Sequence, residues 1–249
     1  MKQVEIIMGM PVTLEITDKQ IDQKIFDEIF SYFKYVDEKF STYKSTSEIS
    51  TINRGELAAD KYSDDMKIVF FLAEETKNET DGFFDIMNGE ICDPSGIVKG
   101  WAIHNAAEIL RERGIKNFWV EAGGDIEVGG YNKDGKNWSV GIKKPFNADE
   151  IVKVIHLPDG KGIATSGTYI RGQHIYNPKQ KGPISDIISL TVIGPNIYEA
   201  DRFATAAFAM GRDGINFIEG LKNFEGYIID KDGIATMTSK FNNYIHQNA

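Results

Sequence analysis

Two residues near the C-terminal end of the chain could hold a metal ion. Asp201 and Thr205 are four residues apart, so a helix would place both side chains on one face. A carboxylate and a hydroxyl are hard oxygen donors of the kind that Mg²⁺ prefers. The same spacing also suits an acidic first-turn residue followed by a Thr bonded to a backbone carbonyl. Without further context, this second, structural interpretation is the one we favour.

His174 is the histidine whose surroundings are most typical of a functional residue. It lies in a segment rich in Gly, Asn and Pro, which predicts a loop. A neutral imidazole near pH 7 could deprotonate a hydroxyl, although a single loop histidine is more often a surface group. The other histidines fall in a helical run, in a strand and in the tail; they are His104, His156 and His246.

Common nucleotide-binding and hydrolase signatures are missing from the sequence. Neither GxxxxGK[ST] nor GxGxxG occurs, and Lys99-Gly100 alone is weak evidence for phosphate binding. Ser166 lacks a GxSxG elbow and has no assignable partner, so serine hydrolase chemistry is not predicted. Gly123-Gly124-Asp125 is most simply a turn between two strands.

Composition excludes several classes of protein. The chain has 249 residues, of which 41% are hydrophobic and 26% are charged, as in ordinary globular proteins. The single cysteine excludes a disulfide scaffold. The net charge of −9 argues against a nucleic-acid partner, but not against a phosphorylated small molecule.

The N-terminal residues do not resemble a secretory signal, because they lack a basic start followed by a long apolar run. No apolar stretch is long enough to span a membrane. We therefore expect a cytoplasmic protein, unless an export signal has been removed.

Hydrophobic spacing predicts an α+β fold: one mixed domain over residues 1–249, with a mainly antiparallel sheet and flanking helices. Short Gly-rich links between several strands favour antiparallel pairing. Apolar residues at helical spacing predict helices over about 19–40, 64–78, 98–113, 199–210 and 213–221. Strands are predicted within 3–16 and over 117–121, 126–131, 137–143, 150–157, 186–194, 225–230 and 234–238.

Five segments, taken in order, resemble the FAD:protein FMN transferase family, the ApbE-like flavinyltransferases. One such motif is weak, but the ordered set is specific and covers the chain from Met8-Gly9 to about Gly211. The segments are Ser47–Asn53, Thr80–Asp85 (T-x-G-x-F-D), Asp93–Gly100 (D-x-x-G-[IV]-[AV]-K-G), Ala122–Asp125 (A-G-G-D), and a last one joining Thr165–Gly167, His174–Pro178 and Ala200–Thr205.

The resemblance implies an enzyme that uses Mg²⁺ to transfer the FMN moiety of FAD to a Thr or Ser hydroxyl of an acceptor protein, releasing AMP. It implies that Asp201 and Thr205 bind the metal through side chains and Gly96 through its carbonyl. His174 would be the base, and Asp201 would act in catalysis through the metal. The residues implied to line the FAD pocket are Met8, Tyr43, Phe83, Phe84, Asp85, Asp93, Lys99 and Ile175.

Three positions depart from the family pattern. His104 stands where the family usually has Asp, Asn177 replaces Asp in H-I-x-D-P, and the step after Pro178 is lengthened. Two other functions share the implied pocket. A pyrophosphatase would use water in place of the acceptor, and a non-catalytic FAD-binding protein would release no AMP.

Overall fold

The computed structural model describes residues 1–19, 21–145, 147–168, 175–179 and 183–245; the side chains of 147–149 are not described. Its centre is an eight-stranded sheet in the order β1-β2-β5-β6-β9-β10-β11-β12. These strands are β1 (Lys2–Ile7), β2 (Met10–Ile16), β5 (Phe118–Ala122), β6 (Asp125–Gly129), β9 (Gly162–Gly167), β10 (Ile187–Gly194), β11 (Glu225–Asp230) and β12 (Ala235–Met237).

Among the described residues, two hairpins lie outside this sheet. One joins β3 (Met87–Asn88) to β4 (Ile91–Cys92), and the other joins β7 (Trp138–Lys144) to β8 (Asn147–Leu157). Every ladder between described strands is antiparallel. The structure thus confirms the α+β class with antiparallel pairing.

In the described part of the chain, six α-helices accompany the strands: α1 (Gln23–Phe40), α2 (Glu48–Asn53), α3 (Asp64–Glu79), α4 (Ser95–Glu112), α5 (Ile197–Ala209) and α6 (Gly214–Gly220). Helices α1, α3 and α5 begin at residues whose side chains cap the helix. The side chains of Asp22, Ser63 and Asn196 each accept a backbone N–H of the first turn, as capping residues do. No helix in the described ranges is both long and apolar enough to cross a lipid bilayer.

The sheet carries a hydrophobic core on each face, as alternation along β5 shows. Phe118 and Val120 pack with α1, α4 and α5 in the larger core, whereas Trp119 packs with the smaller core under the β7–β8 hairpin. Helix α5 lies very close to the sheet. A Cβ added at Gly162 in β9 would be 2.1 Å from the backbone N of Ile197, so this contact requires glycine.

Several element boundaries differ from the sequence predictions. Helix α4 begins at Ser95 rather than near 98, because Ser95 and Gly96 form a first turn without apolar side chains. Helix α1 begins at Gln23 rather than 19, after the Asp22 cap. Helix α2, strand β9 and the β3–β4 hairpin were not predicted.

Candidate functional site

A cleft of about 200 Å³ opens between the first turn of α4, helix α5, strand β9 and the segment 175–178. It brings together residues that lie more than 100 positions apart in the sequence. The predicted site residues that line it are Phe83, Phe84, Asp85, Asp93, Gly96, Lys99, Ile175, Asp201 and Thr205.

The three predicted metal ligands lie on the two helices that form one wall of this cleft. The Thr205 hydroxyl is 3.4 Å from the carbonyl oxygen of Gly96 and donates to it. Asp201, one turn earlier in α5, is 3% exposed, and its Oδ2 accepts the backbone N–H of Gly100 at 2.8 Å. A carbonyl, a hydroxyl and a carboxylate therefore meet where α4 crosses α5.

Two buried carboxylates share one ammonium group beside these ligands. Lys99 Nζ lies 2.5 Å from Oδ2 of Asp125 and 3.7 Å from Oδ1 of Asp201. Burial raises the pKa of Asp201 to about 7; the negative charge of Asp125 adds to this rise, and Lys99 and the N–H of Gly100 oppose it. With both acids ionised, the cluster has a net charge of −1.

This donor set fits Mg²⁺. All three candidate ligand atoms, on Gly96, Asp201 and Thr205, are oxygens, and the incompletely neutralised pair of buried acids favours a bound cation.

The aromatic side of the cleft is set by the turn that ends α3. Asp81 and Gly82 both have positive φ, +50° and +75°, which suits a turn with glycine as its second residue. The Thr80 hydroxyl donates to Thr76 O at 2.7 Å and accepts the N–H of Phe84 at 3.1 Å. These bonds explain the Thr of the T-x-G-x-F-D run, and the positive φ of Gly82 explains its Gly.

Charged groups hold the rim next to this turn. Asp85 pairs with Lys77 at 2.8 Å, and its Oδ1 accepts the N–H of Met87 at 2.9 Å. Lys179 pairs with Asp81 at 2.6 Å and lies over the ring of Phe83, 4.4 Å from its centroid. The segment that follows His174 in the chain is thereby attached to the aromatic wall.

Asn53 orients the strand that leads into α4. Its amide Nδ2 donates to Cys92 O at 2.9 Å, and its Oδ1 accepts the Cys92 N–H at 2.8 Å. Asp93 then accepts the N–H of Ser95, the first residue of α4, at 3.0 Å. The Asn at the end of the Ser47–Asn53 motif thus acts by fixing the backbone beside Asp93.

Met8 and Tyr43 do not line the cleft. Met8 lies in the β1–β2 turn with φ +53° and packs on the larger core, whereas Tyr43 is 98% exposed. His174, the predicted base, lies outside the described residues.

A buried polar cluster behind the cleft was not predicted. Glu127 in β6 is fully buried, and its carboxylate contacts His104 Nδ1 at 3.0 Å and Arg111 Nη1 at 2.8 Å. It also accepts the N–H of Ile197 at 3.1 Å, at the start of α5. His104, Glu108 and Glu127 could together hold a metal ion, but Arg111 already pairs with both glutamates.

Sequence reasoning also assigned no role to Asp125 or Glu127. The available signal was their alternation with Ile126 and Val128, which places two acids on one face of an apolar strand. Acids on a buried face need partners, and both have them: Asp125 contacts Lys99, and Glu127 contacts Arg111 and His104.

The model of the ApbE family matches residues 8–94 and 90–228. The chain therefore belongs to the ApbE family. Among solved structures, it is similar to the flavin transferase ApbE from Vibrio cholerae, with a TM-score of 0.84 and 24% identity over 98% of both chains. The ApbE protein from Thermotoga maritima aligns with a TM-score of 0.88 and 21% identity over 99% of both chains.

Curated relatives carry the name FAD:protein FMN transferase. One from Vibrio cholerae is 37% identical over 130 residues, which is 49% of this chain and 39% of that protein. One from Escherichia coli K12 is 30% identical over 155 residues, 59% of this chain and 44% of that protein. These matches thus span about two-fifths of the relatives' length. A relative from Haemophilus influenzae is 26% identical, over 87% of this chain and 82% of its own length.

Proposed function

We propose that residues 1–249 form a single domain that catalyses Mg²⁺-dependent transfer of the FMN moiety of FAD to a Thr or Ser hydroxyl of an acceptor protein, releasing AMP. The observation that carries this proposal is the meeting of Gly96 O, Asp201 and Thr205 in the cleft of an ApbE-family chain. The name FAD:protein FMN transferase, which the curated relatives bear, supports FAD as the substrate.

Gly96, Asp201 and Thr205 would hold Mg²⁺ at the pyrophosphate of FAD. When bound there, the ion supplies charge neutralisation for phosphoryl transfer, a reaction that needs positioning more than covalent help. Lys99, 20% exposed at its side chain, adds positive charge to the same side of the cleft. Phe83, with Lys179 stacked on it, offers an aromatic wall for a flat ring system.

His174 is the proposed base. It would take the proton from the acceptor hydroxyl while the oxygen attacks the phosphorus of the FMN moiety. The new O–P bond forms as the P–O bond to the AMP moiety breaks, and AMP leaves with the electron pair. Ile175, the next residue in the sequence, lines the cleft.

The proposal is tested with the purified protein, FAD and Mg²⁺, with and without an acceptor domain that carries an exposed Thr. AMP release and acceptor mass are both followed, and a chelator is the control. Acceptor gain of one FMN mass with release of AMP, both blocked by the chelator, is the expected result. AMP and free FMN without a labelled acceptor would indicate a pyrophosphatase, and bound FAD without AMP release would indicate a binding protein.

A further inference from the structure

Asp125 is a buried acid that is not among the ligands proposed for the metal, although its carboxylate lies next to that of Asp201. It is 2% exposed and opens strand β6 directly after the Gly123-Gly124 turn. Its Oδ1 accepts the backbone N–H of Thr165 in β9 at 3.0 Å, and its Oδ2 faces Lys99. The carboxylate is therefore held between two strands and aimed at a single cation.

Among the described residues, Lys99 pairs with two acids. Its ammonium lies 2.5 Å from Asp125 Oδ2, in direct contact, but 3.7 Å from Asp201 Oδ1. Coulomb attraction falls with distance, so the ammonium is attracted more strongly to Asp125 than to Asp201. Asp201 Oδ2 accepts the N–H of Gly100, and Oδ1 is the oxygen that lies on the Lys99 side.

We propose that Asp125 is a positioning residue that draws the Lys99 ammonium away from Asp201 and so keeps the Asp201 carboxylate open to the metal ion. The inference rests on the proposed function, because it assumes that Asp201 binds a divalent cation. Among the described residues, Asp201 is the other acid paired with Lys99, so without the charge of Asp125 an incoming cation would have to displace a partly buried ammonium from Asp201.

The arrangement also explains why a lysine can lie beside a cation site. An ammonium with no other partner would repel a divalent ion at Asp201. Paired with Asp125, it contributes little net repulsion but remains 20% exposed toward the cleft, where a phosphate group would sit. With Asp125 present, Lys99 can thus bind an anion while Asp201 binds a cation.

The test measures cation binding directly, with Mn²⁺ as a paramagnetic stand-in for Mg²⁺ and free Mn²⁺ counted by electron paramagnetic resonance in the presence of saturating FAD. Asp125→Asn keeps the acceptor for Thr165 N–H but loses the charge. We expect it to bind Mn²⁺ about tenfold more weakly than the wild type. Lys99→Gln/Asp125→Asn should recover most of that loss, because no ammonium is left to occupy Asp201.

Asp18→Asn is the matched control, since Asp18 also accepts backbone N–H groups, from Lys116 and Asn117, but does not line the cleft. Wild-type affinity in Asp125→Asn would overturn the inference, as would equal weakness in the single and double variants. Failure of the wild type to bind Mn²⁺ at all would overturn the proposed metal site as well, which distinguishes the two failures.

A second variant keeps the inference testable if Asp125→Asn does not fold. In Lys99→Gln the two acids remain without the competing ammonium, so Mn²⁺ should bind at least as tightly as in the wild type. Weaker Mn²⁺ binding in Lys99→Gln would overturn the inference.

Discussion

The backbone N–H of Gly100 donates a hydrogen bond to Oδ2 of Asp201 at 2.8 Å, and it does so across the contact between α4 and α5. The helices approach so closely there that a Cβ at Gly100 would lie 2.6 Å from Cβ of Asp201 and 3.0 Å from Ile197 O. The orientation of this carboxylate is thus set by the backbone of a neighbouring helix rather than by a mobile side chain.

Gly100→Ala should therefore both destabilise the protein and disturb the cleft. The added methyl group must push α4 away from α5, and overpacking of this kind costs about 1–3 kcal/mol of unfolding free energy. We expect a lower melting temperature and weaker Mn²⁺ binding. Gly220→Ala at the end of α6 is the control: nothing lies within 4 Å of its added Cβ, so stability should stay the same or rise slightly.

Asp201→Ala should abolish AMP release while FAD binding is largely retained. The carboxylate acts on the metal, whereas the flavin has other contacts in the cleft, including the aromatic wall at Phe83. AMP release is measured by chromatography, and FAD binding by quenching of flavin fluorescence. Asp213→Asn, an exposed acid just beyond α5, should behave as the wild type. Full turnover in Asp201→Ala would remove this residue from the metal site.

Thr205 can be tested for its hydroxyl alone. Thr205→Val keeps the shape but removes the oxygen that donates to Gly96 O, so the Mg²⁺ concentration for half-maximal activity should rise about tenfold. Thr205→Ser keeps the oxygen and should stay near the wild-type value. If Val and Ser variants need the same Mg²⁺ concentration, Thr205 is a packing residue and not a ligand.

His174→Ala should lose transfer to the acceptor more than it loses FAD binding, because a hydroxyl is a poor nucleophile without a base. Acceptor mass and FAD affinity are measured on the same preparation. His156→Gln serves as control, since His156 lies in β8 and contacts Ser139 rather than the cleft. Unchanged transfer in His174→Ala would exclude this histidine as the base.

The His104–Glu127 contact predicts a pH-dependent contribution to stability. Burial lowers the pKa of His104, but the hydrogen bond and charge of Glu127, with a smaller effect of Glu108, outweigh burial and the opposing charge of Arg111. The folded-state pKa is therefore raised above 6.5. A raised histidine pKa stabilises the fold fully below the unfolded-state value, and this stabilisation is lost as the pH rises through the folded-state value.

Urea denaturation at about pH 6 and about pH 9 should thus show a larger decline in unfolding free energy for the wild type than for His104→Gln. The Gln variant retains a donor for Glu127 but does not titrate. Equal declines in both proteins would show that protonation of His104 does not stabilise the fold.

Hydrophobic periodicity predicted the long helices and strands, because their apolar faces extend over more than two helical turns or over a whole strand. Helix α3 begins at Asp64 after the Ser63 cap, as expected from the residues. Helix α2 has only six residues, too few for a visible apolar face. Strand β9 lies between β6 and β10 through long-range pairing, which local patterns do not reveal.

The site residues likewise divide into those recognisable from local sequence and those that depend on long-range contacts. Motif residues such as Gly96 and Asp201 were recognisable, since their types and order are specific. The contact between Asp125 and Lys99 could not be predicted from the sequence, because it depends on the register of β6 against β9 and on the approach of α4. Met8 and Tyr43 are not among the residues that line the cleft, and their assignment to the FAD pocket stays a prediction.

The candidate cation site has no counterpart in the unfolded chain, because Gly96 and Thr205 meet only when α4 crosses α5. Any ion that binds there binds the folded state alone and raises its stability by linkage. The unliganded fold, in contrast, must hold two buried carboxylates against one ammonium. Ligand binding in the cleft thus supplies part of the stability of the folded protein. The melting temperature therefore reports how fully the cleft is occupied.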